Sequence, residues 1–317
     1  MQEGAPMAYR ALAFVTTGLL VAAAAATPGC RHPDPASLAV SSVVAPVSPV
    51  ADGAPAEVAP GAPLRVVTYN IHHIDDARLG QALAADKDLA GADVIFLQEV
   101  IQPRDADSSA CALARHEGWN CAYAPGHGLK GGSLGVAILS RHPLADLQAI
   151  ELPYYNVRFN AGRRVALAAT IDVAGTPVRI FSVHLDNRLT ASQRVHQLEP
   201  VMDAAARWDG PAIVAGDMNT SPFTWVGHVV PVPAGTHDDK LERFVRSRGF
   251  STPVSKSGPT HQYLSMRLDH IFTRGLGVGA YEVEHRVRAS DHLPMWAEIT
   301  LPPSRVANGS GVSAAAE

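Results

Sequence analysis

Four short polar motifs stand where β-branched runs end: Thr68-Tyr69-Asn70, Gln98-Glu99, Gly216-Asp217-Met218-Asn219 and Ser290-Asp291-His292. Side chains of these types, at the exits of buried strands, suit a metal-assisted attack on a phosphoester. Glu99 follows an apolar run, where an unpaired carboxylate is costly to bury; it either turns to solvent or binds something positive. Carboxylate oxygens suit Mg²⁺, which takes one or two of them and keeps several waters. Asn70 could orient Glu99 or touch the water shell of such an ion. Asp217 and Asn219 project to one side if the chain stays extended, Gly216 letting the backbone turn off the strand. An Asp there can hold and deprotonate a water, and the Asn amide can donate to a phosphate oxygen. A tight turn or a helix cap explains the same four residues equally well. His292 is the member able to exchange a proton near neutral pH, and Asp269 could fix its tautomer from behind. His184, ending another apolar run with Asp186 just beyond, could donate to the same phosphate, whereas His72, His73, His261 and His270 read individually as surface or core residues.

Such side chains need a scaffold of strand exits. From Leu64 onward strand and helix signals alternate. Strands are expected at 65–71, 93–97, 134–140, 211–215, 268–272, 278–287 and 294–301. A hairpin of 165–173 and 178–183 turns through Ala174-Gly175-Thr176-Pro177. Helices are expected at 78–89, 190–208 and 238–248. Hairpins mixed with helical crossovers exclude a purely parallel doubly wound sheet and predict an α/β (α+β) fold of mixed sheets with helices on the outer faces. Residues 64–301 form one domain of ordinary size.

The ends differ in character. Residues 1–30 read as a signal peptide: Arg10 precedes an apolar stretch too short and Ala-rich for a membrane span. Gly29-Cys30 resembles the end of a bacterial lipoprotein signal, with Cys30 the lipidated residue, although Thr27 and Pro28 depart from that pattern. A disordered Pro/Ala-rich tether is expected over 31–63 and a disordered tail over 302–317. Export makes a disulfide between Cys111 and Cys121 plausible. The apolar fraction of 47% is ample for a core, and a net charge of −4 gives no global field for a polyanion. Arg163-Arg164, Arg243 to Arg248 and Arg286 to Arg288 are local basic clusters.

In this order the motifs, with Gly135 to Ser140, His184 and Leu268-Asp269, resemble the endonuclease/exonuclease/phosphatase superfamily, the Mg²⁺-dependent phosphoesterases related to pancreatic deoxyribonuclease and bacterial sphingomyelinases. The resemblance spans 64–301. It implies a four-layered α/β sandwich, two mixed β-sheets packed face to face with helices outside. It also implies Glu99 as principal metal ligand with Asn70 and Asp291 near the ion, Mg²⁺ foremost and Mn²⁺ or Ca²⁺ as alternatives. Asp217 would align the attacking water, Asn219 and His184 would hold the phosphate, and His292 backed by Asp269 would act as acid or base. Tyr123 stands where some members contact phosphate with a tyrosine, in a context that matches poorly. The expectation is an exported phosphodiesterase, in the bacterial envelope or secreted, monomeric, with nucleic acid as leading substrate. A sphingomyelinase, an inositol-phosphate phosphatase with Arg163-Arg164 at the head group, and a non-catalytic binding lipoprotein are the alternatives. No exposed aromatic hairpin for a membrane is evident beyond Phe223-Thr224-Trp225.

Overall fold

The first strand, β1 (Leu64–Asn70), alternates Val66 toward one layer and Val67 and Tyr69 toward another, as the period of two in an extended chain requires. The computed structural model describes residues 62–157, 162–233 and 237–301. The expected signal, Cys30, nearly all of the tether and the tail lie outside them. After β1 come α1 (Asp76–Ala84), α2 (Lys87–Ala90), β2 (Val94–Pro103), α3 (Ser109–Glu117), β3 (Asn120–Leu129), β4 (Gly132–Ser140) and β5 (Ala145–Glu151). Then follow β6 (Val165–Val173), β7 (Thr176–His184), α4 (Ala191–Ala206), β8 (Ala212–Asp217), β9 (Phe223–Val226), β10 (Val230–Pro233) and α5 (His237–Ser247). The chain closes with β11 (Asp269–Arg274), β12 (Gly277–Val283) and β13 (Met295–Thr300).

Two mixed sheets result. The first has the order β12-β13-β1-β2-β4-β3 and the second β11-β8-β7-β6-β5; β9 and β10 pair only with each other. One apolar core lies between the sheets, built from Val66, Phe96, Ile138 and Met295 of the first and Leu167, Ile180, Ile213 and Ile271 of the second. A second core joins α1, α2 and α3 to the outer face of the first sheet through Leu79, Leu89 and Leu113. A third joins α4 and α5 to the other sheet through Leu198, Val201, Leu241 and Val245. The expected four-layered sandwich is thus observed.

Several elements depart from expectation for identifiable reasons. The helix expected over 78–89 breaks in two because the Asp86 carboxylate caps the N–H groups of Asp88 and Leu89 and restarts the chain as α2. β12 stops at Val283 rather than 287. β2 does not end at Leu97: it continues to Pro103, with a register shift against β4 between Leu97 and Val100. Glu99 sits in that bulge at φ 55°, so it leaves the strand's alternation without terminating the strand. The β6–β7 turn needs only Ala174-Gly175, both at positive φ, the backbone that matches strand twist. The Cys111–Cys121 disulfide ties α3 to β3. Around Phe223-Thr224-Trp225 there is a free two-stranded hairpin, more than the sequence promised.

Candidate active site

Strand register assembles the site. β7 and β8 run parallel with His184 opposite Asp217, and β8 and β11 run antiparallel with Asp217 opposite Asp269. Three expected residues therefore lie side by side at one end of the second sheet. In the first sheet β1 and β2 run parallel with Asn70 opposite Gln98, which brings Glu99 beside Asn70. Asp291 and His292 precede β13, the antiparallel neighbour of β1. Ser290 fastens that loop by donating from Oγ to the Asn70 carbonyl at 2.8 Å.

Gly216 is required here for a different reason than a turn. It lies inside β8, and a Cβ on it would come within 1.9 Å of the Val183 carbonyl oxygen. The turn off the strand occurs at Asn219, at φ 50°. Its N–H donates to Asp217 Oδ1 at 2.8 Å, and its Nδ2 donates to Oδ2 at 3.1 Å and to the Leu185 carbonyl at 2.9 Å. The turn and the functional arrangement are thus one structure.

Asp217 is the hub. Its Oδ2 also accepts from Asn70 Nδ2 at 3.0 Å and lies 3.5 Å from His184 Nε2 and 3.7 Å from His292 Nε2. Burial pushes this carboxyl up, against the pull of the His292 imidazolium. A carboxylate so placed is able to take a proton from water near neutral pH.

The two imidazoles that face Asp217 hold opposite states. Burial disfavours charge on His292, but the Asp269 carboxylate, 2.8 Å from Nδ1, and then Asp217 overcome it and lift the imidazole to about 10. His292 therefore favours its charged form, with Nε2 facing Asp217 Oδ2 at 3.7 Å. His184 is held well below its ordinary value, first by burial and then by the Arg164 guanidinium. Arg164 Nη1 donates to His184 Nδ1 at 3.0 Å, while its Nε donates to Asp186 Oδ1 at 2.7 Å. Gln197 secures Asp186 with a bond of 2.8 Å to Oδ2. With Nδ1 accepting, the proton of neutral His184 sits on Nε2, facing Asp217 and Glu99.

Asp217, Asp269 and His292 offer ligand atoms within 4.8 Å of one another. That trio is already joined by the proton on His292 Nδ1, so it reads as a relay. Glu99 and Asp291 fit a cation better: both side chains are part-exposed at the cleft, with room for waters, and both are hard oxygen donors. Burial raises the Glu99 carboxyl, yet the His73 hydrogen bond, the nearby His184 and the Asn70 amide prevail and hold it well below the usual carboxylate range. His73 Nε2 lies 3.2 Å and His72 Nδ1 3.6 Å from Glu99 Oε2, and His72 Nδ1 lies 3.4 Å from Asp291 Oδ1. Asn70 Nδ2 reaches Glu99 Oε1 at 3.2 Å, while Asn70 Oδ1 accepts from the His72 N–H at 3.1 Å. In this orientation Asn70 is the brace between Glu99 and Asp217.

Asn70, Glu99, His184, Asp217, Asn219, Asp269, Asp291 and His292 thus converge on one cleft or stand directly behind it. His72, His73 and His261 also line it, against their surface or core reading; His72 and His73 take left-handed backbone just past Asn70, and their nearness to that motif was the available signal. His270 is a core residue as expected, its Nε2 2.9 Å from Thr220 Oγ1. Tyr123 is buried with its hydroxyl 3.0 Å from Ser133 Oγ. The basic clusters meet carboxylates: Arg163 with Glu151, Arg164 with Asp186, Arg246 with Glu242, Arg248 with Glu199 and Asp203, and Arg286 with Glu284 and Asp86. Arg164 in particular is buried against His184 and Asp186 and also lines the cleft.

Residues 67–292 match the model of the endonuclease/exonuclease/phosphatase family. The chain belongs to that family, whose members are hydrolases of phosphoester bonds and generally depend on a divalent metal. Among solved structures, an endonuclease/exonuclease/phosphatase from Beutenbergia cavernae is similar at 24% identity, over 76% of this chain and 72% of that one, with a TM-score of 0.61. The human Nocturnin catalytic domain with bound sulfate is 18% identical over 76% of this chain and 94% of its own, TM-score 0.58. A 3'-5' exonuclease from Neisseria meningitidis is 22% identical over 75% of this chain and 100% of its own, TM-score 0.54. These likenesses carry the fold. No curated protein matches the sequence.

Proposed function

We propose that the protein is an exported, divalent-cation-dependent phosphodiesterase. The observation that carries this reading is the Asp217 carboxylate set between Nε2 of a neutral imidazole and Nε2 of a cationic one. One cationic donor and one neutral donor suit the single negative charge of a phosphodiester better than the double charge of a monoester. Asp217 aligns a water and accepts its proton as the oxygen attacks phosphorus. His184 holds a non-bridging oxygen through Nε2, and Asn219, whose donors are engaged by Asp217 and the Leu185 carbonyl, keeps Asp217 aligned. His292 gives its Nε2 proton to the departing oxygen, so the products are a phosphomonoester and an alcohol, and Asp269 stabilises the imidazole throughout. Glu99 and Asp291 would hold the cation, Mg²⁺ first and Mn²⁺ or Ca²⁺ in its place, which supplies charge neutralisation at the phosphate.

The Cys111–Cys121 disulfide supports export, because such bonds persist in oxidising compartments. The signal over 1–30 and a lipid on Cys30 belong to the same reading. Most arginines of the basic clusters are engaged with acidic partners, while Arg188 lines the cleft over the Trp225 ring; the surroundings select no single diester.

The test is turnover of bis(p-nitrophenyl) phosphate by the full chain with each of the three cations, with p-nitrophenyl phosphate and DNA alongside. Asp217→Ala and His292→Ala should each lose on the order of 10²–10⁴ in kcat/KM on the diester. Equal turnover of the monoester, or full activity in either variant, would refute the assignment.

A further inference from the structure

Nδ1 of His261 accepts two hydrogen bonds, from the backbone N–H groups of Tyr263 and Leu264, each at 3.2 Å. A backbone N–H can only donate, so Nδ1 carries the lone pair and the proton of the neutral ring stands on Nε2. The imidazole closes its own turn here, as an Asn or Asp side chain does in an Asx turn. Nε2 is left on the outer edge of the ring, 4.0 Å from Asp291 Oδ2, a separation too long for a hydrogen bond. His261 lines the cleft, so this N–H is presented to whatever enters it.

The ring is held firmly. The His261 N–H donates to the Met266 carbonyl at 3.0 Å, the Gln262 N–H to the Asp291 carbonyl at 2.8 Å, and the Leu293 N–H to the Thr260 carbonyl at 2.7 Å. Gln262 Nε2 adds a bond to the Ser290 carbonyl at 2.6 Å. The turn is thereby sewn to the segment that carries Asp291 and His292, and the backbones of His261 and His292 pair directly as an isolated bridge. The two imidazoles lie 5.5 Å apart between centroids, tilted by 60°.

In the reaction proposed above, His292 protonates the departing oxygen and Asp291 holds the cation. His261 stands beside both. It is no metal ligand itself, because an N–H has no lone pair to offer and Nδ1 is turned to the backbone. It is a donor. Two N–H groups drawing on the Nδ1 lone pair polarise the ring and strengthen Nε2–H without giving it a full charge. A fixed donor of this kind serves an oxygen whose negative charge grows in the transition state.

Resting on the phosphodiesterase reading, we propose that His261 is a further catalytic residue, which donates a hydrogen bond from Nε2 to the departing alcohol oxygen. As the phosphorus–oxygen bond breaks, its electron pair stays on that oxygen. One lone pair takes the His292 proton and a second accepts the His261 hydrogen bond, while His261 keeps its own proton throughout. A poor leaving alcohol keeps the charge on its oxygen, whereas p-nitrophenolate spreads it into the ring. The contact therefore counts for more with the poorer leaving group.

Aryl methyl phosphates with leaving groups from p-nitrophenol to phenol, given to the full chain with Mg²⁺, measure the contact. His261→Asn keeps an acceptor for the Tyr263 and Leu264 N–H groups and removes the outer donor. His261→Gln places an amide N–H near the position of Nε2 and gives up the inner acceptor. The Asn variant should lose about tenfold more on the phenyl ester than on the p-nitrophenyl ester, the worth of one hydrogen bond. Its log kcat/KM should thus fall more steeply with leaving-group pKa, and the Gln variant should return that slope toward the wild type's. A loss of the same size for every leaving group, or a wild-type slope in Asn with a steeper one in Gln, would make the turn purely structural and overturn the proposal. So would nitrogen NMR shifts of the wild type that put the His261 proton on Nδ1, a measurement that depends on no variant's folding. No turnover of any of these diesters by a wild type that does show the Nε2 proton would instead refute the phosphodiesterase reading, and with it the role of His261.

Discussion

Arg164 Nη1 lies 3.0 Å from Nδ1 of His184, with both side chains buried. A guanidinium can only donate, and its shorter contact is to Nδ1, with Nε2 at 3.4 Å, so it favours the tautomer of His184 that carries the proton on Nε2. Asp269 does the reverse for His292. Two imidazoles of one cleft are thereby made chemically different by what stands behind them.

Arg164→Met should free the His184 tautomer and let the imidazole charge at higher pH. The expected loss in kcat is about a hundredfold, with a new acidic limb in the pH–rate profile. Arg164→Lys should restore part of the rate. A purely structural Arg164 would lower the melting temperature and leave the profile's shape alone, so both should be recorded.

Asp269→Asn should bring His292 down from about 10 toward its ordinary value. The sign follows from the raised folded-state value. The stabilising charge is fully present below about 6.5 and is lost as pH rises through about 10. In the variant, the alkaline limb of kcat/KM should move down into the neutral range. A limb that stays put would refute the pairing as the cause.

Acid should unfold the protein through its buried neutral histidines. Burial holds His270 down at about 4 and also lowers His142. Between about 6.5 and 4 the unfolded chain binds more protons than the folded one, so stability falls as pH drops through that window. His270 alone accounts for roughly 3 kcal/mol at the acid end. Urea unfolding at several pH values across the window measures the slope, and a flat stability would contradict it.

Gly216→Ala should be poorly tolerated, because the new methyl would meet the Val183 carbonyl and the backbone sits at φ 146°. A loss of about 1–3 kcal/mol from backbone strain alone is expected. Thermal unfolding gives that value, and the rate should fall further because Asp217 follows directly.

Reduction of Cys111–Cys121 should cost roughly 2–3 kcal/mol, the worth of closing a loop this short. Denaturant midpoints with and without a reductant, checked against Cys111→Ala/Cys121→Ala, measure it.

Much of this was written in the chain. Asn70, Asp217 and His184 are strand-end residues, and a strand end is legible wherever a β-branched run meets a polar residue. Glu99 was found for that reason, yet its bulge was not, since a one-residue register shift depends on β4 and leaves no mark in β2. Arg164 was read as part of a local basic cluster and as a head-group contact, because nothing local marks an arginine aimed at a histidine twenty residues on. The β9–β10 hairpin was underestimated because its valines look like core. Only their lack of a covering layer makes them unusual.

The central strand β1 takes β13, the last strand of the chain, as its antiparallel neighbour, with Leu64 opposite Ile299. Asp291 and His292 arrive only with that final segment. On the proposed mechanism, a chain cut short before residue 291 keeps Glu99 and Asp217 but lacks the His292–Asp269 pair. In the full chain, the pairing of the final strand with the first joins the two halves of the cleft.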